Sequence, residues 1–175
     1  MSDSIVIIPT YNEKENLEKM VRKVFSLKKD FHILIVDDGS PDGTANIVKK
    51  LQTEFPDQLH LEERKGKLGL GTAYIHGFKW SLKKSYQYIF EMDCDFSHNP
   101  EDLIQLYNAC ANDGGDLAIG SRYKSGVNVV NWPMGRVLMS YYASAYVRFL
   151  TGMDIRDTTS GFKCYTRKVL ETIDL

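Results

Sequence analysis

The chain has 175 residues, 43% hydrophobic and 26% charged, enough for one compact domain with its own core. Its 22 basic and 23 acidic residues leave a formal charge of −1, which argues against a basic nucleic-acid-binding face. Cys94, Cys110 and Cys164 form no CxxC pair, which argues against a zinc knuckle or disulfide framework and fits a reducing, cytoplasmic setting.

No apolar run reaches the roughly 18–20 residues of a membrane span, and Met1-Ser2-Asp3-Ser4 carries no basic leader. Ile5–Ile8 is a continuous β-branched run, the pattern of a strand buried on both faces. Asn16–Phe25 carries Leu17, Met20, Val21 and Val24 at helical spacing. Ile33–Val36 is a second buried strand, Thr44–Phe55 a second helix and Gln58–Glu62 a short strand. Gly69–Lys83 forms a third helix, Tyr88–Met92 a strand, Pro100–Asn112 a helix opening on proline, and Asp116–Ile119 a further strand. This alternation predicts an α/β domain with a mostly parallel central sheet flanked by helices. Right-handed crossovers then line up the strand C-terminal ends along one edge, where open α/β sheets bind ligands.

Three polar segments are expected at that edge: Pro9-Thr10-Tyr11-Asn12-Glu13, Asp37-Asp38-Gly39-Ser40 and Asp93-Cys94-Asp95. Asp93 and Asp95 are spaced to share one face of an extended chain, where two carboxylates repel unless a cation joins them. Mg²⁺ or Mn²⁺ accepts such oxygen ligands and leaves positions for diphosphate oxygens. Alternatively the triplet is a solvated acidic turn that caps the helix from Pro100. The first segment can likewise be read as a strand end with Asn12 as N-cap and Glu15 completing a capping interaction. Asp42 is placed to cap the helix from Thr44. Lys67–Gly71 lacks the GxxxxGK[ST] pattern and reads as a structural turn into a helix.

Together these segments resemble the family 2 glycosyltransferases of the GT-A fold, and within them the dolichol-phosphate mannose synthases. The matching stretches are Ile8–Glu13, Val36–Thr44, Lys67–Gly71, Met92–Pro100, Gly120–Tyr123, Asn131-Trp132-Pro133, Arg136 and Ser160-Gly161-Phe162, in family order. The resemblance implies a single GT-A catalytic domain over residues 1–175, C-terminally short of the basic residues that help close the site in relatives. It implies that Pro9, Tyr11, Glu13, Val36 and Asp38 hold the nucleoside, and that Asp93, Cys94 and Asp95 face the diphosphate. Asp95 is then the first metal ligand, with Asp93 beside it. Ser97 stands where these synthases commonly carry a metal-binding glutamine, and is expected to act through water. Arg122 would contact donor diphosphate or acceptor phosphate, and Arg136 and Ser140 would receive the acceptor phosphate. Asp95, Arg122 and Arg136 are the implied catalytic set. His98 reads as a supporting residue rather than a ligand, and Trp132-Pro133 equally as a packing corner.

The resemblance also implies the reaction: inverting transfer of mannose from GDP-mannose to a polyprenyl monophosphate at Mg²⁺ or Mn²⁺. A phosphate monoester is largely ionised near neutrality, so the nucleophile needs no general base. The rivals are a family 2 enzyme using UDP-glucose or UDP-N-acetylglucosamine, a nucleotidyltransferase, and an inactive nucleotide-binding module. Gly135–Leu150, rich in apolar and aromatic residues, either lies at a bilayer surface or packs on the sheet; packing on the sheet is favoured.

Overall fold

The computed structural model describes residues 2–122 and 134–175, with Arg136 described by its backbone alone. The elements in chain order are β1 (Ser4–Thr10), α1 (Leu17–Phe25), β2 (His32–Asp37), α2 (Thr44–Glu54), β3 (Leu59–Glu63), α3 (Leu70–Leu82) and β4 (Tyr88–Glu91). A 3₁₀ turn (Pro100–Asp102) leads into α4 (Leu103–Ala111), followed by β5 (Leu117–Ile119), α5 (Met134–Thr151), β6 (Lys163–Thr166) and α6 (Arg167–Thr172).

The strands form one sheet in the order β3-β2-β1-β4-β6-β5. The first four in that order are parallel, while β6 runs antiparallel to both β4 and β5. The sheet is thus mostly parallel, as expected, with one strand the sequence reading missed. Asp116–Ile119 is not the neighbour of Tyr88–Met92, because β6 lies between them.

The apolar runs explain the central strands. Ile5 to Ile8 and Ile33 to Val36 are fully buried, since each central strand is covered on both faces. Side-chain alternation divides them. Val6, Ile8, Ile33 and Ile35 join Leu17, Met20, Val21 and Val24 of α1, Val48 and Leu51 of α2, and Leu103 and Leu106 of α4. Ile5, Ile7, Leu34 and Val36 pack on the other face against Ala73, Tyr74 and Phe78 of α3 and Leu170 of α6. Each buried Ile or Leu contributes about 1.5–3 kcal/mol of transfer free energy, so the sheet faces dominate the fold.

Helix ends differ from expectation in ways that expose the local chemistry. Asn12 is not an N-cap: it sits at φ 62° and donates its backbone N–H to Ser40 Oγ, 3.0 Å away. α1 begins only after Asn16, once Glu13 C=O has accepted the N–H groups of Asn16 and Leu17. Asp42 Oδ1 does accept the N–H of Thr44, at 3.0 Å, satisfying a donor in the first turn of α2. The turn at Pro100 is capped by Asn99, whose side chain accepts from Glu101 N–H at 3.1 Å, rather than by the acidic triplet.

α5 departs from the favoured packing on the sheet. Its buried described side chains are Val137 and Ser144, whereas Leu138, Met139, Tyr142, Tyr146, Phe149 and Leu150 are exposed. None of the helices among the described residues is long and apolar enough to cross a membrane.

Candidate active site

Because β1, β2 and β4 are parallel neighbours, their C-terminal ends open at one edge. A cleft of about 260 Å³ lies there, and Pro9, Tyr11, Glu13, Asp38, Asp93, Cys94 and Asp95 all border it. Asp37, at the end of β2 beside the cleft residue Asp38, is 1% exposed. That buried carboxylate is satisfied by Thr10 Oγ1 at 2.9 Å, Ser40 N–H at 2.9 Å and Ser40 Oγ at 2.6 Å. Gly39 makes the turn possible at φ 68°, a conformation that favours glycine. Glu13 is oriented by its own backbone N–H to Thr44 Oγ1 (3.1 Å) and by Asn16 Nδ2, which donates to Glu13 Oε2 at 3.2 Å.

The two carboxylates after β4 are treated differently. Asp93 is half-buried, and Tyr74 Oη donates to its Oδ1 at 2.9 Å. Burial raises the Asp93 pKa above the ordinary carboxylate value, helped by the nearby charges of Asp95 and Glu91 and opposed by the Tyr74 hydrogen bond. Asp95 is exposed, and its Oδ1 accepts from Ser97 N–H at 2.9 Å and from the Ser97 hydroxyl. Cys94, between them, is turned into the core, where burial pushes its thiol pKa far up. His98 has its pKa lowered to about 4 by burial and by the charge of Arg122, so its ring is neutral at pH 7 and packs 5.0 Å from the Phe162 ring.

This donor set suits a hard divalent cation. Asp93, Asp95 and Ser97 offer oxygen only, and Asp93 carries the electrostatic penalty that a nearby cation relieves. No group of three or more His, Cys, Asp or Glu able to hold a metal occurs among the described residues.

A second wall joins the 120–122 and 157–162 segments. Gly120 N–H donates to Phe162 C=O at 2.8 Å, and Ser160 Oγ donates to Gly120 C=O at 2.7 Å. Gly161 lies so near Asp93 that a Cβ there would stand 2.8 Å from Asp93 Oδ2. Arg122 is buried and paired with Asp157 by Nε to Oδ2 and Nη2 to Oδ1, both at 2.7 Å. Burial alone would raise the Asp157 pKa, but hydrogen bonds and charge from Arg122 bring it below the ordinary value. Arg122 Nη2 also donates to Thr159 Oγ1 at 2.8 Å, and Thr159 Oγ1 lies 3.2 Å from Ser140 Oγ of α5. Arg122 and Ser140 are thus joined through Thr159.

Several expected contacts need correction. Val36 is not at the cleft: its side chain belongs to the core against α3. Cys94 borders the cleft, but its side chain is buried in the core. Asp38 is at the cleft, yet both its oxygens are engaged by the protein, Oδ1 by Arg64 Nε at 2.6 Å and Oδ2 by Leu68 N–H at 3.1 Å. Arg122 and Ser97 border the adjoining hollow beside Phe96, His98 and Phe162 rather than the first cleft. Tyr123, Asn131, Trp132 and Pro133 lie outside the described residues, as does the Arg136 side chain.

Arg64, Tyr74, Asp157 and Gly161 were given no role by the sequence reading. Gly161 stands inside a recognised motif, which is a signal that went unused. Arg64 is a cation directly after Glu62-Glu63 at a strand end, a weaker signal. Tyr74 looks like any core aromatic of a helix, and nothing local marks Asp157 as the partner of a residue 35 positions earlier.

Solved structures share this fold. The chain superposes with TM-score 0.68 on a mannosyltransferase from Pyrobaculum calidifontis solved with GDP-Man and Mn²⁺, at 18% identity over 97% of this chain and 46% of that one. It superposes with TM-score 0.69 on Mycobacterium tuberculosis glucosyl-3-phosphoglycerate synthase solved with Mn²⁺, UDP-Glc and phosphoglyceric acid, at 18% identity over 97% of this chain and 59% of that one. At such identities the likeness defines the fold, that of the GT-A glycosyltransferases.

The profile described as Glycosyl transferase family 2 matches residues 5–174, and the chain belongs to that family. It is 50% identical to polyprenol monophosphomannose synthase of Mycolicibacterium smegmatis over 98% of its own length and 64% of that protein's. It is 41% identical to undecaprenyl-phosphate mannosyltransferase of Micrococcus luteus, over 98% and 69% of the two chains. Against dolichol-phosphate mannosyltransferase of Pyrococcus furiosus the identity is 38%, over 97% and 48%. The chain thus spans about half to two thirds of the length of these relatives.

Proposed function

We propose that the protein transfers mannose from GDP-mannose to a polyprenyl monophosphate, with inversion at the anomeric carbon and with Mg²⁺ or Mn²⁺ as cofactor. The observation that carries this reading is the 50% identity to a polyprenol monophosphomannose synthase over 98% of this chain. The arrangement of the cleft supports it.

Asp93, Asp95 and Ser97 would hold the cation, whose chemistry is to offset charge on the departing diphosphate. Tyr11 and Glu13 would border the nucleoside, with Pro9 beside them. Ser97 engages Asp95 Oδ1, and the exposed carboxylate would offer its other oxygen to the cation. Arg122 would serve the phosphates from the second wall, its guanidinium held in orientation by Asp157 and its charge partly balanced. Arg136 and Ser140 would receive the acceptor phosphate on α5. The acceptor oxygen is already anionic near neutrality, so the protein's task is to position and to compensate charge, with no proton to remove.

A lipid acceptor also calls for access to a membrane surface. The exposed stripe Leu138, Tyr142, Tyr146, Phe149 and Leu150 has the spacing of one helix face and would lie in the bilayer interface. The protein would accordingly work as a peripheral protein on the cytoplasmic face. Flotation with liposomes tests this: Phe149→Ser with Leu150→Ser should reduce the bound fraction, and equal binding by both forms would reject α5 as the contact.

The central experiment is product analysis with GDP-mannose, Mn²⁺ and a short polyprenyl phosphate, with UDP-glucose in a parallel arm. Mannosyl lipid formation from the GDP sugar alone is expected. Asp95→Ala should abolish transfer while the thermal unfolding curve stays close to wild type. Turnover near the wild-type rate would remove Asp95 from the metal site.

A further inference from the structure

We propose that Lys67 is a ligand for the donor's diphosphate, carried to the cleft by a loop that the Asp38–Arg64 pair clamps in place. The proposal rests on the nucleotide-sugar reading above and extends it to a residue that reads from sequence as part of a structural turn.

The loop joins β3 to α3. Arg64 N–H donates to Asp37 C=O at 2.8 Å, which continues the β2–β3 pairing by one residue. The Arg64 side chain then spreads over three partners: Asp38 Oδ1 at 2.6 Å, Thr72 Oγ1 at 2.9 Å and Gly69 C=O at 3.2 Å. Asp38 answers with Oδ2, which accepts from Leu68 N–H. The two charged side chains are 8% and 7% exposed, so the pair is largely withdrawn from water and each partner depends on the other. The loop also lies directly on the Gly39 turn, where a Cβ would meet Gly66 N at 3.1 Å. Gly66 and Gly69 take φ 88° and 100°, turning the chain on either side of Lys67. The backbone at Lys67 is therefore fixed from both flanks, while its side chain is exposed at the cleft.

Charge assigns that side chain a task. The cleft is bordered by Glu13, Asp38, Asp93 and Asp95, and Lys67 is its one cationic residue among the described lining. Arg64 neutralises Asp38 from behind. A divalent cation at Asp93 and Asp95 does no more than cancel those two carboxylates. A nucleoside diphosphate adds about two to three negative charges, by the phosphate pKa of about 6. A flexible lysine is suited to meet it, as a point charge with three donors.

The position of the ammonium sharpens the inference. Lys67 Nζ stands 4.6 Å from the centroid of the Tyr11 ring, within cation–π range. A base stacking on that face of the ring would compete with the Lys67 ammonium for it. When the base takes the face, the four-carbon stem lets the ammonium turn to the diphosphate. Lys67 therefore opposes binding of a bare nucleoside and favours binding of its diphosphate.

Isothermal titration of the full chain with Mg²⁺ separates these effects. GDP and guanosine, with UDP and uridine in parallel, are titrated into wild type, Lys67→Met and Lys67→Arg. Lys67→Met should raise the Kd for the nucleoside diphosphate by about tenfold or more, the loss of a charge-assisted contact. The Kd for the matching nucleoside should stay the same or fall, and Lys67→Arg should recover most of the diphosphate affinity. An unchanged Kd for the diphosphate, or equal weakening of diphosphate and nucleoside, overturns the Lys67 assignment and leaves the donor reading intact. Failure of wild type to bind either diphosphate rejects the donor reading, and the assignment with it.

Discussion

Asp93 is hemmed in at the scale of single atoms. Tyr74 holds one oxygen and Gly161 leaves 2.8 Å of room beside the other, measured to where a Cβ would stand. Gly161→Ala should push that carboxylate aside. Because displacements of about 1 Å cost on the order of 10²-fold in rate, transfer should fall by that order while the melting temperature moves little; a transfer assay beside a thermal melt checks both. Asp157→Asn tests the opposite kind of residue. It leaves Arg122 buried without its countercharge, and should cost about 3–5 kcal/mol in chemical denaturation. The sequence made the acidic and aromatic residues at the strand ends legible, because residue type and position relative to an apolar run suffice to bring Tyr11, Glu13, Asp93 and Asp95 to one edge. It did not make their partners legible. Arg64 reaches Asp38 across 26 positions and Asp157 reaches Arg122 across 35, distances over which no local pattern carries information.

Among the elements, α3 and β1 approach closely at one glycine. A Cβ at Gly77 would come within 2.6 Å of Ile7 Cγ2, so the helix seats on the strand only because glycine stands there. Gly77→Ala should destabilise by about 1–3 kcal/mol through overpacking, read from denaturant midpoints. Combined with Ile7→Ala, which empties the opposing volume, the two losses should add to less than their sum. The strands with unbroken β-branched runs and the helices with a clear stripe were readable within a residue or two of their ends. β6 was not: Lys163-Cys164-Tyr165-Thr166 alternates too briefly to separate it from a loop, and its place between β4 and β5 is set by tertiary pairing. α5 misled for another reason, since apolar composition is the same for a helix that packs inward and for one that faces outward.

At the scale of the whole molecule, the end of the sheet remote from the cleft carries a pH dependence. His32 Nδ1 lies 2.8 Å from Tyr86 Oη, and the His60 ring packs 4.9 Å from Trp80. Burial lowers the pKa of both imidazoles below 6.5, outweighing the attraction of Asp57 for both and of Asp30 for His32. The unfolded chain therefore takes up protons near 6.5, where the folded chain does not. Stability present above that pH is lost as the pH falls below it. Melting temperature should drop between about pH 7.5 and 5.5, and drop less in His60→Gln.

The position of β6 has a consequence for biosynthesis. A ribosome releases β5 before β6 exists, yet β6 is the strand to which β5 bonds among the described residues. Over the same interval Asp93 lacks Gly161 at its side and Arg122 lacks Asp157. A nascent chain can close the nucleoside side of the edge while still tethered, but the phosphate side waits for residues 157–166 to emerge. Until then the half-built sheet exposes an unpaired margin at β4, the interval in which a chaperone would have most to protect.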